Sequence, residues 1–216
     1  MSRSGVLVAV ALVLALIAGG MLYWTNTLPL PVQTSAPPTQ SAESRLVAQM
    51  IDNGAANGFA ATFSDSDASK WQIGPGHRLE RFTIDDGKTA VARLTSSVPI
   101  DYASFDWPKQ GLSMTLPVEF AALANGKRIE VGFAARMPGA NASEAVSVIY
   151  ATQQAGNSTW QQVPLGPGFA LSRFTFDVPA LADGYTMNPI VVFHADGIGG
   201  GKSVEILGVY VKIVAN

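Results

Sequence analysis

The pattern of hydrophobic and polar positions changes character along the chain. Residues 5–24 (GVLVAVALVLALIAGGMLYW) form 20 consecutive positions without a charge. As a helix rising ~1.5 Å per residue, such a run spans about 30 Å, the thickness of a bilayer's hydrocarbon core. Residues 25–39 (TNTLPLPVQTSAPPT) follow with four prolines among polar side chains, which reads as an extended, semi-rigid spacer. Residues 41–53 (SAESRLVAQMIDN) then set Leu46, Val47, Met50 and Ile51 at helical spacing. Ser41 is the natural N-cap of this amphipathic helix, Glu43 suits its first turn, and Gly54 offers a stop.

From Phe59 the period becomes two. In residues 127–138 (KRIEVGFAARMP), Ile129, Val131 and Phe133 share one face, with Glu130 and Arg136 on the other. Residues 145–152 and 171–179 alternate in the same way, the latter grouping Phe174, Phe176 and Val178. Residues 189–195 (PIVVFHA) are nearly all apolar, as in a strand buried on both faces. Residues 204–214 (VEILGVYVKIV) close the chain, with Leu207, Val209, Val211 and Ile213 inward and Tyr210 and Lys212 outward. Residues 89–95 and 111–120 supply earlier strands. Turn clusters separate these runs, among them Asp85-Asp86-Gly87, Ala124-Asn125-Gly126, Pro138-Gly139, Gly156-Asn157 and Asp183-Gly184. The pattern predicts an all-β fold, an antiparallel jelly-roll-like β-sandwich over residues 59–216. Residues 1–24 are the cytoplasmic tip and transmembrane anchor, and residues 25–58 the Pro-rich linker and short helix. No strand-helix-strand alternation appears, which excludes a parallel α/β fold.

Charge orients the span. Arg3 precedes it, and no Lys or Arg follows until Arg45, so the N-terminus is expected in the cytoplasm and the domain across the membrane. The rival reading is a cleaved signal peptide, with a small-residue site at Ala18-Gly19-Gly20 and secretion of the mature domain. The apolar run exceeds an ordinary signal-peptide core, and Tyr23 and Trp24 add interfacial aromatics at its far end, which favours the anchor. Both readings export the domain. Cys is absent, which removes disulfides, a thiol nucleophile and a Cys-based zinc site. The net charge of −2, without long runs of either sign, argues against nucleic acid as a partner.

The stretches KRIEVGFAARMPG, WQQVPLGPGFALSRFTFDVP and NPIVVFHADGIGGGKSVEILGVYVKIV resemble the C-terminal half of jelly-roll domains related to carbohydrate-binding modules and galactose-binding-like domains. The resemblance implies a sandwich that binds a glycan without acting on it. Many such modules carry an acid midway along the last strand that helps to hold a structural calcium. Here that stretch reads Ile206-Leu207-Gly208, with Glu205 the nearest acid, so no metal or other cofactor is expected.

Motifs of other chemistries weaken on inspection. DGIGGGKS, residues 196–203, ends like a phosphate loop but has Asp196 where a glycine is needed, and a strand follows instead of a helix. It is read as a flexible hairpin, and no nucleotide partner is expected. His77 and His194 lie far apart in sequence; Asp196 shares a strand face with His194, but no nucleophile setting accompanies either histidine. The many acids, such as Asp85, Asp101, Asp106, Glu119 and Asp183, sit mostly in turns and form no diagnostic pair for glycoside hydrolysis. Trp71 reads as a core residue at a strand start. The match of Asn141 and Asn157 to the glycosylation pattern is read as chance.

Aromatics beside amides are the better lead, because sugars stack apolar faces on flat rings and bond through their hydroxyls. Trp107 and Tyr102 lie in PIDYASFDWPKQG together with Phe105, Trp160 precedes two glutamines, and Tyr185 lies in DGYTMN. With Arg136 and Asp177 on polar strand faces, these form the expected ligand-binding set, and at least one of Trp107 and Trp160 is expected to stand exposed. The sequence reads as a non-catalytic, carbohydrate-binding-like protein of a bacterial inner membrane, single-pass, with a periplasmic domain and an exported or cell-surface polysaccharide as partner. The alternative is an assembly subunit that binds another envelope protein, for example in a polysaccharide synthesis or export complex. The anchor has a direct check: the full-length chain is expected to stay in the membrane fraction after alkaline carbonate washing. A mature protein beginning near Gly20 or later would overturn it.

Overall fold

The computed structural model describes residues 40–214. The expected anchor and the Pro-rich spacer lie outside the described residues. Among the described residues no helix is long and apolar enough to cross a membrane.

The first element is helix α1 (Ala42–Ala55), capped by Ser41, whose side chain accepts the Ser44 N–H at 3.0 Å. Glu43 lies in the first turn, where the helix dipole favours a carboxylate. The expected stop at Gly54 does not hold. The helix continues to Ala55, and Gly54 is buried where α1 crosses the strand that follows. A Cβ there would stand 2.6 Å from the Cβ of Ala60 and 2.8 Å from nearby backbone. Gly54 is required by close approach rather than by termination.

Eleven strands follow: β1 (Gly58–Thr62), β2 (Trp71–Ile73), β3 (His77–Ile84), β4 (Thr89–Ser96), β5 (Leu112–Thr115) and β6 (Arg128–Arg136), then β7 (Ala145–Ala151), β8 (Gln161–Pro164), β9 (Ala170–Asp177), β10 (Ile190–His194) and β11 (Ser203–Ile213). All pairings between these strands are antiparallel. The first sheet runs β3-β4-β11-β6-β9, and the second β2-β5-β10-β7-β8. β1 joins the first sheet by pairing with Gly208 to Lys212 of β11, beyond the stretch paired to β4. This is the expected antiparallel sandwich.

Between the sheets lies the main core. Val131, Phe133, Val209 and Val211 from the first sheet meet Leu112, Met114, Val148, Tyr150 and Phe193 from the second. Phe174, Phe176 and Val178 join it together, as the alternation predicts. Trp71 stacks on Phe63 at 4.4 Å and donates to the Thr62 carbonyl at 2.7 Å, which bears out its reading as a core residue.

Three local readings are corrected. The β11–β6 register shifts between Ile206 and Gly208, and this bulge inverts the phase of the strand. Leu207 therefore faces away from the main core, whereas Val209 and Val211 face it and Ile213 packs against it as expected. Residues 111–120 are not one strand. β5 ends at Thr115, Pro117 cannot donate to a ladder, and the chain turns into helix α2 (Val118–Ala124). DGIGGGKS connects β10 of the second sheet to β11 of the first, so it is a crossover between sheets, not a hairpin.

Both sheets carry apolar residues on their outer faces, and both are covered. Over the first sheet, Met50 of α1, with Leu46 and Val47, packs on Val91, Ala134, Leu207 and Tyr210. Tyr210 points outward from the sandwich as expected, yet it is fully buried under the helix. Its ring lies so close to Gly132 that a Cβ there would come within 2.3 Å of it. Its hydroxyl donates to Glu130 at 2.6 Å, and Lys212 reaches both Glu130 at 3.3 Å and Asn53 of α1 at 3.2 Å. Burial opposes the charge on Glu130, but Tyr210 and Lys212 outweigh it and hold that carboxyl below its ordinary pKa.

Gly54→Ala tests this packing, because intrinsic propensity and tertiary contact oppose each other. Alanine favours an exposed helix interior by ~1 kcal/mol over glycine. Here the substitution is expected to destabilise the domain by about 1–3 kcal/mol, the usual cost of overpacking. A denaturation midpoint that is unchanged or raised would show that α1 is not held at that distance.

Candidate functional site

The outer face of the second sheet brings aromatic and amide groups together. Along β10 its outer row is Ile190, Val192 and His194, all buried. Residues 97–111, which connect β4 to β5, lie along that row. At one end the Val98 carbonyl lies 3.0 Å from His194 Nε2. Farther along, Trp107 packs into a cluster of Ile149, Ala151, Ile190 and Val192, against which Trp160 also rests. The loop is braced from within: Gln110 accepts from Asp101 N–H at 3.0 Å and donates to the Asp101 carbonyl at 3.1 Å. A short 3-10 turn, Trp107–Lys109, ends it.

Where Trp107 meets the β7–β8 and β9–β10 loops, a shallow cleft of about 370 Å³ opens. It is lined by Phe105, Trp107, Gln153, Gln154, Asn157 and Met187, together with Gly156. Phe105 stands 76% exposed, edge-on to Trp107 at 5.8 Å between ring centroids. Trp107 itself is only 6% exposed and serves as the floor. None of the lining residues is charged.

The three carboxamides are each fixed at one end. Gln153 Nε2 donates to the Asn188 carbonyl at 2.6 Å. Gln154 Oε1 accepts the Thr186 N–H at 3.0 Å, and Asn157 Oδ1 accepts the Thr159 N–H at 2.8 Å. Their opposite ends can offer two NH2 donors and one carbonyl acceptor in set orientations. A flat exposed ring beside prearranged neutral donors and acceptors suits a polyhydroxylated, uncharged ligand.

The structure divides the sequence-predicted set. Trp107 and Tyr102 share the covering loop, and Tyr102 is exposed but does not line the cleft. Trp160 is half-buried beside His194. Neither tryptophan stands free, contrary to expectation, because the apolar outer row of β10 needs cover. Tyr185 is buried, and its hydroxyl donates to the Pro179 carbonyl at 2.8 Å. Arg136 and Asp177 belong to the first sheet instead. Asp177 is exposed and bidentately paired with Arg128 at 2.7 and 2.9 Å. The hydrogen-bonded guanidinium holds its carboxyl below the ordinary aspartate range. Arg136 lies over Phe169 at 4.3 Å and donates to Glu205 at 2.7 Å.

Glu205 also settles the fit of a calcium ion at that strand. The residue is 2% exposed, and its two oxygens accept from Arg93 at 2.6 and 3.1 Å and from Arg136. Two guanidinium groups occupy the carboxylate, so the residues present do not suit a cation there. Sequence reasoning named Phe105 only as a neighbour of Trp107 and Tyr102, and passed over the Gln153-Gln154 pair as site residues. The pair stood among turn-forming residues, and nothing local tied that turn to the loop bearing Trp107.

No protein-family model matches the chain, and no curated protein matches it significantly. Solved structures match by fold. The CBM22-1 xylan-binding domain from Paenibacillus barcinonensis Xyn10C superposes with a TM-score of 0.51 at 8% identity, over 73% of this chain and 94% of that one. The N-terminal CBM22-1-CBM22-2 tandem domain of the same protein gives 0.50 at 9% identity, over 73% of this chain and 44% of that one. A carbohydrate binding module from Cellvibrio mixtus lichenase 5A, solved with cellotriose, gives 0.41 at 8% identity, over 73% and 98%. The fold is the jelly-roll β-sandwich of carbohydrate-binding modules.

Burial separates the two rings on the covering loop. Trp107→Ala is expected to cost about 3–5 kcal/mol of folding stability, as deleting a buried tryptophan does. Phe105→Ala should cost less than about 1.5 kcal/mol, the worth of an exposed ring in one edge-on contact. Chemical denaturation of the two variants checks the order, and equal losses would mean that Phe105 is a packing residue.

Proposed function

We propose that the chain is a non-catalytic binding protein for an uncharged polysaccharide, held at the bacterial inner membrane with its sandwich in the periplasm. The observation that carries this reading is the exposed Phe105 ring standing beside Gln153, Gln154 and Asn157, each amide with one end fixed and the other free among the described residues. The ring supplies a stacking face, and the amides supply direction. The lack of charge along the lining argues for neutral sugars over uronates. The fold supports the reading by analogy, since function resides in the site and not in the sandwich. The periplasmic location rests on the uncharged run of residues 5–24 and on Arg3 before it.

The assembly-subunit alternative has one observation in its favour. Ile198 is 83% exposed in the Gly-rich crossover, whose Gly199 lies against the partly exposed Val98. An exposed apolar side chain of that kind suits protein contact.

Isothermal titration against soluble xylan, a β-glucan and a uronate polymer tests the proposal. The wild type is expected to bind a neutral polymer and not the uronate. Phe105→Ala should lose about 1–3 kcal/mol of affinity, as removal of a stacked aromatic does, with little change in stability. Binding that is unaffected by Phe105→Ala, or no binding to any of the polymers, would reject the cleft and leave the assembly reading standing.

A further inference from the structure

His194 is wholly buried on the outer row of β10, yet both of its ring nitrogens are bonded to backbone outside the sheet ladder. The Asp196 N–H donates to Nδ1 at 3.1 Å, which makes that nitrogen an acceptor. Nε2 therefore carries the proton and donates to the Val98 carbonyl at 3.0 Å. One bond holds the β10–β11 crossover, and the other holds the start of the covering loop. The Ile100 N–H reinforces that junction by donating to the Gly197 carbonyl at 3.1 Å.

Two further rings meet the imidazole edge-on: His77 at 5.0 Å and Trp160 at 6.3 Å between centroids. Trp160 closes the β7–β8 connection, the segment that carries Gln153, Gln154 and Asn157. His194 thus touches two of the three chain segments that build the cleft: the loop bearing Phe105 and the loop bearing the amides. His77 is fixed by Ser96, whose Oγ lies 3.0 Å from its Nδ1 while accepting the Ala195 N–H at 3.0 Å. The buried Nε2 of His77 has no partner among the described residues. Trp160 Nε1 is likewise buried without a partner among the described residues.

The geometry points to His194 as a positioning residue that latches these two segments of the cleft while it is neutral, and that releases them when it takes up a proton. A proton on Nδ1 would face the Asp196 N–H, donor against donor, and would place a cation beside His77. The titratable groups acting on His194 are few. His77 opposes its charge, and the Asp196 carboxylate favours it, but that carboxylate is turned to its own loop, accepting from the Ile198 and Lys202 N–H groups at 3.3 and 3.4 Å. Burial, with His77 beside it, holds the His194 pKa down to about 4, and burial also lowers that of His77. A histidine whose pKa is depressed by the closed state stabilises that state fully above the free value of ~6.5, and the stabilisation is lost as pH falls from there towards the depressed value.

This inference rests on the cleft being the binding site, so its test has one arm that needs no ligand. Amide hydrogen exchange on the domain, corrected for intrinsic rates, is compared at pH 7.5 and pH 5. Residues 97–111 and 152–160 are expected to lose protection at pH 5 while β6 and β11 keep theirs. His194→Gln, which retains a donor towards Val98 but cannot titrate, should abolish the difference. His77→Gln should retain it. Loss of protection in the sheets in step with the loops, or a pH response that persists in His194→Gln, would overturn the latch. If His194→Gln does not fold, a wild-type His194 resonance titrating near 6.5 by NMR would overturn it equally.

The second arm repeats the xylan titration at both pH values. A group titrating at about 4 when held and ~6.5 when free shifts the closed–open balance by up to about thirtyfold at pH 5, which bounds the loss of affinity. Loop release without any polysaccharide binding would keep the latch and reject the carbohydrate reading. Binding with no pH response in either arm would do the reverse.

Discussion

β10 and β11 carry apolar side chains on both faces, and much of the architecture follows from that. A sandwich needs only one dry face per sheet, so Ile190 and Val192 on one side and Leu207 and Tyr210 on the other would leave apolar surface in water. Each face has acquired a cover. The first is a helix, whose Gly54 admits the approach that Met50 needs. The second is an irregular loop, whose Trp107 does for β10 what Met50 does for β11. The loop is held by its own side-chain bonds and by His194, because it has no ladder of its own. The candidate cleft lies along the edge of this second cover, where Phe105 stands clear of the floor that Trp107 provides.

The period-two alternation carried the sandwich, because inward positions such as Val131, Phe133, Phe174 and Phe176 repeat without exception. It could not register a bulge. One extra residue between Ile206 and Gly208 reverses the faces of half a strand while leaving the composition unchanged. It also ran across Leu116-Pro117, where the end of the strand is set by the missing N–H and not by hydropathy. The site was legible only as a neighbourhood. The loop containing Tyr102, Phe105 and Trp107 was visible, but which ring is floor and which is plate depends on what lies beneath. Arg136 and Asp177 looked available because each stands on a polar face; their partners, Glu205 and Arg128, are distant in sequence or on another strand. The contact between His77 and His194, 117 positions apart by their numbering, has no local signature at all.

Electrostatics on the outer face of the first sheet are internally balanced. Glu205 is a buried anion held between two arginines, and each guanidinium is also set over a phenylalanine, Arg93 on Phe82 and Arg136 on Phe169. The aromatic faces favour the cations while the shared carboxylate restrains them. Replacing one arginine would leave the buried carboxylate paired on one side only, a larger loss than the net worth of that pair.

The route by which the chain enters the domain has a mechanical meaning. The N-cap residue Ser41 is hydrogen-bonded to Asp85, and Ser44 lies 3.0 Å from Thr89, so the start of α1 is tied to the turn joining β3 and β4. Tension arriving from residues before Ser41 meets these side-chain bonds first, then the Met50 contact, and only afterwards the β1–β11 ladder. Under load, α1 would peel away as a sacrificial element. β11 would remain paired to β6 and β4.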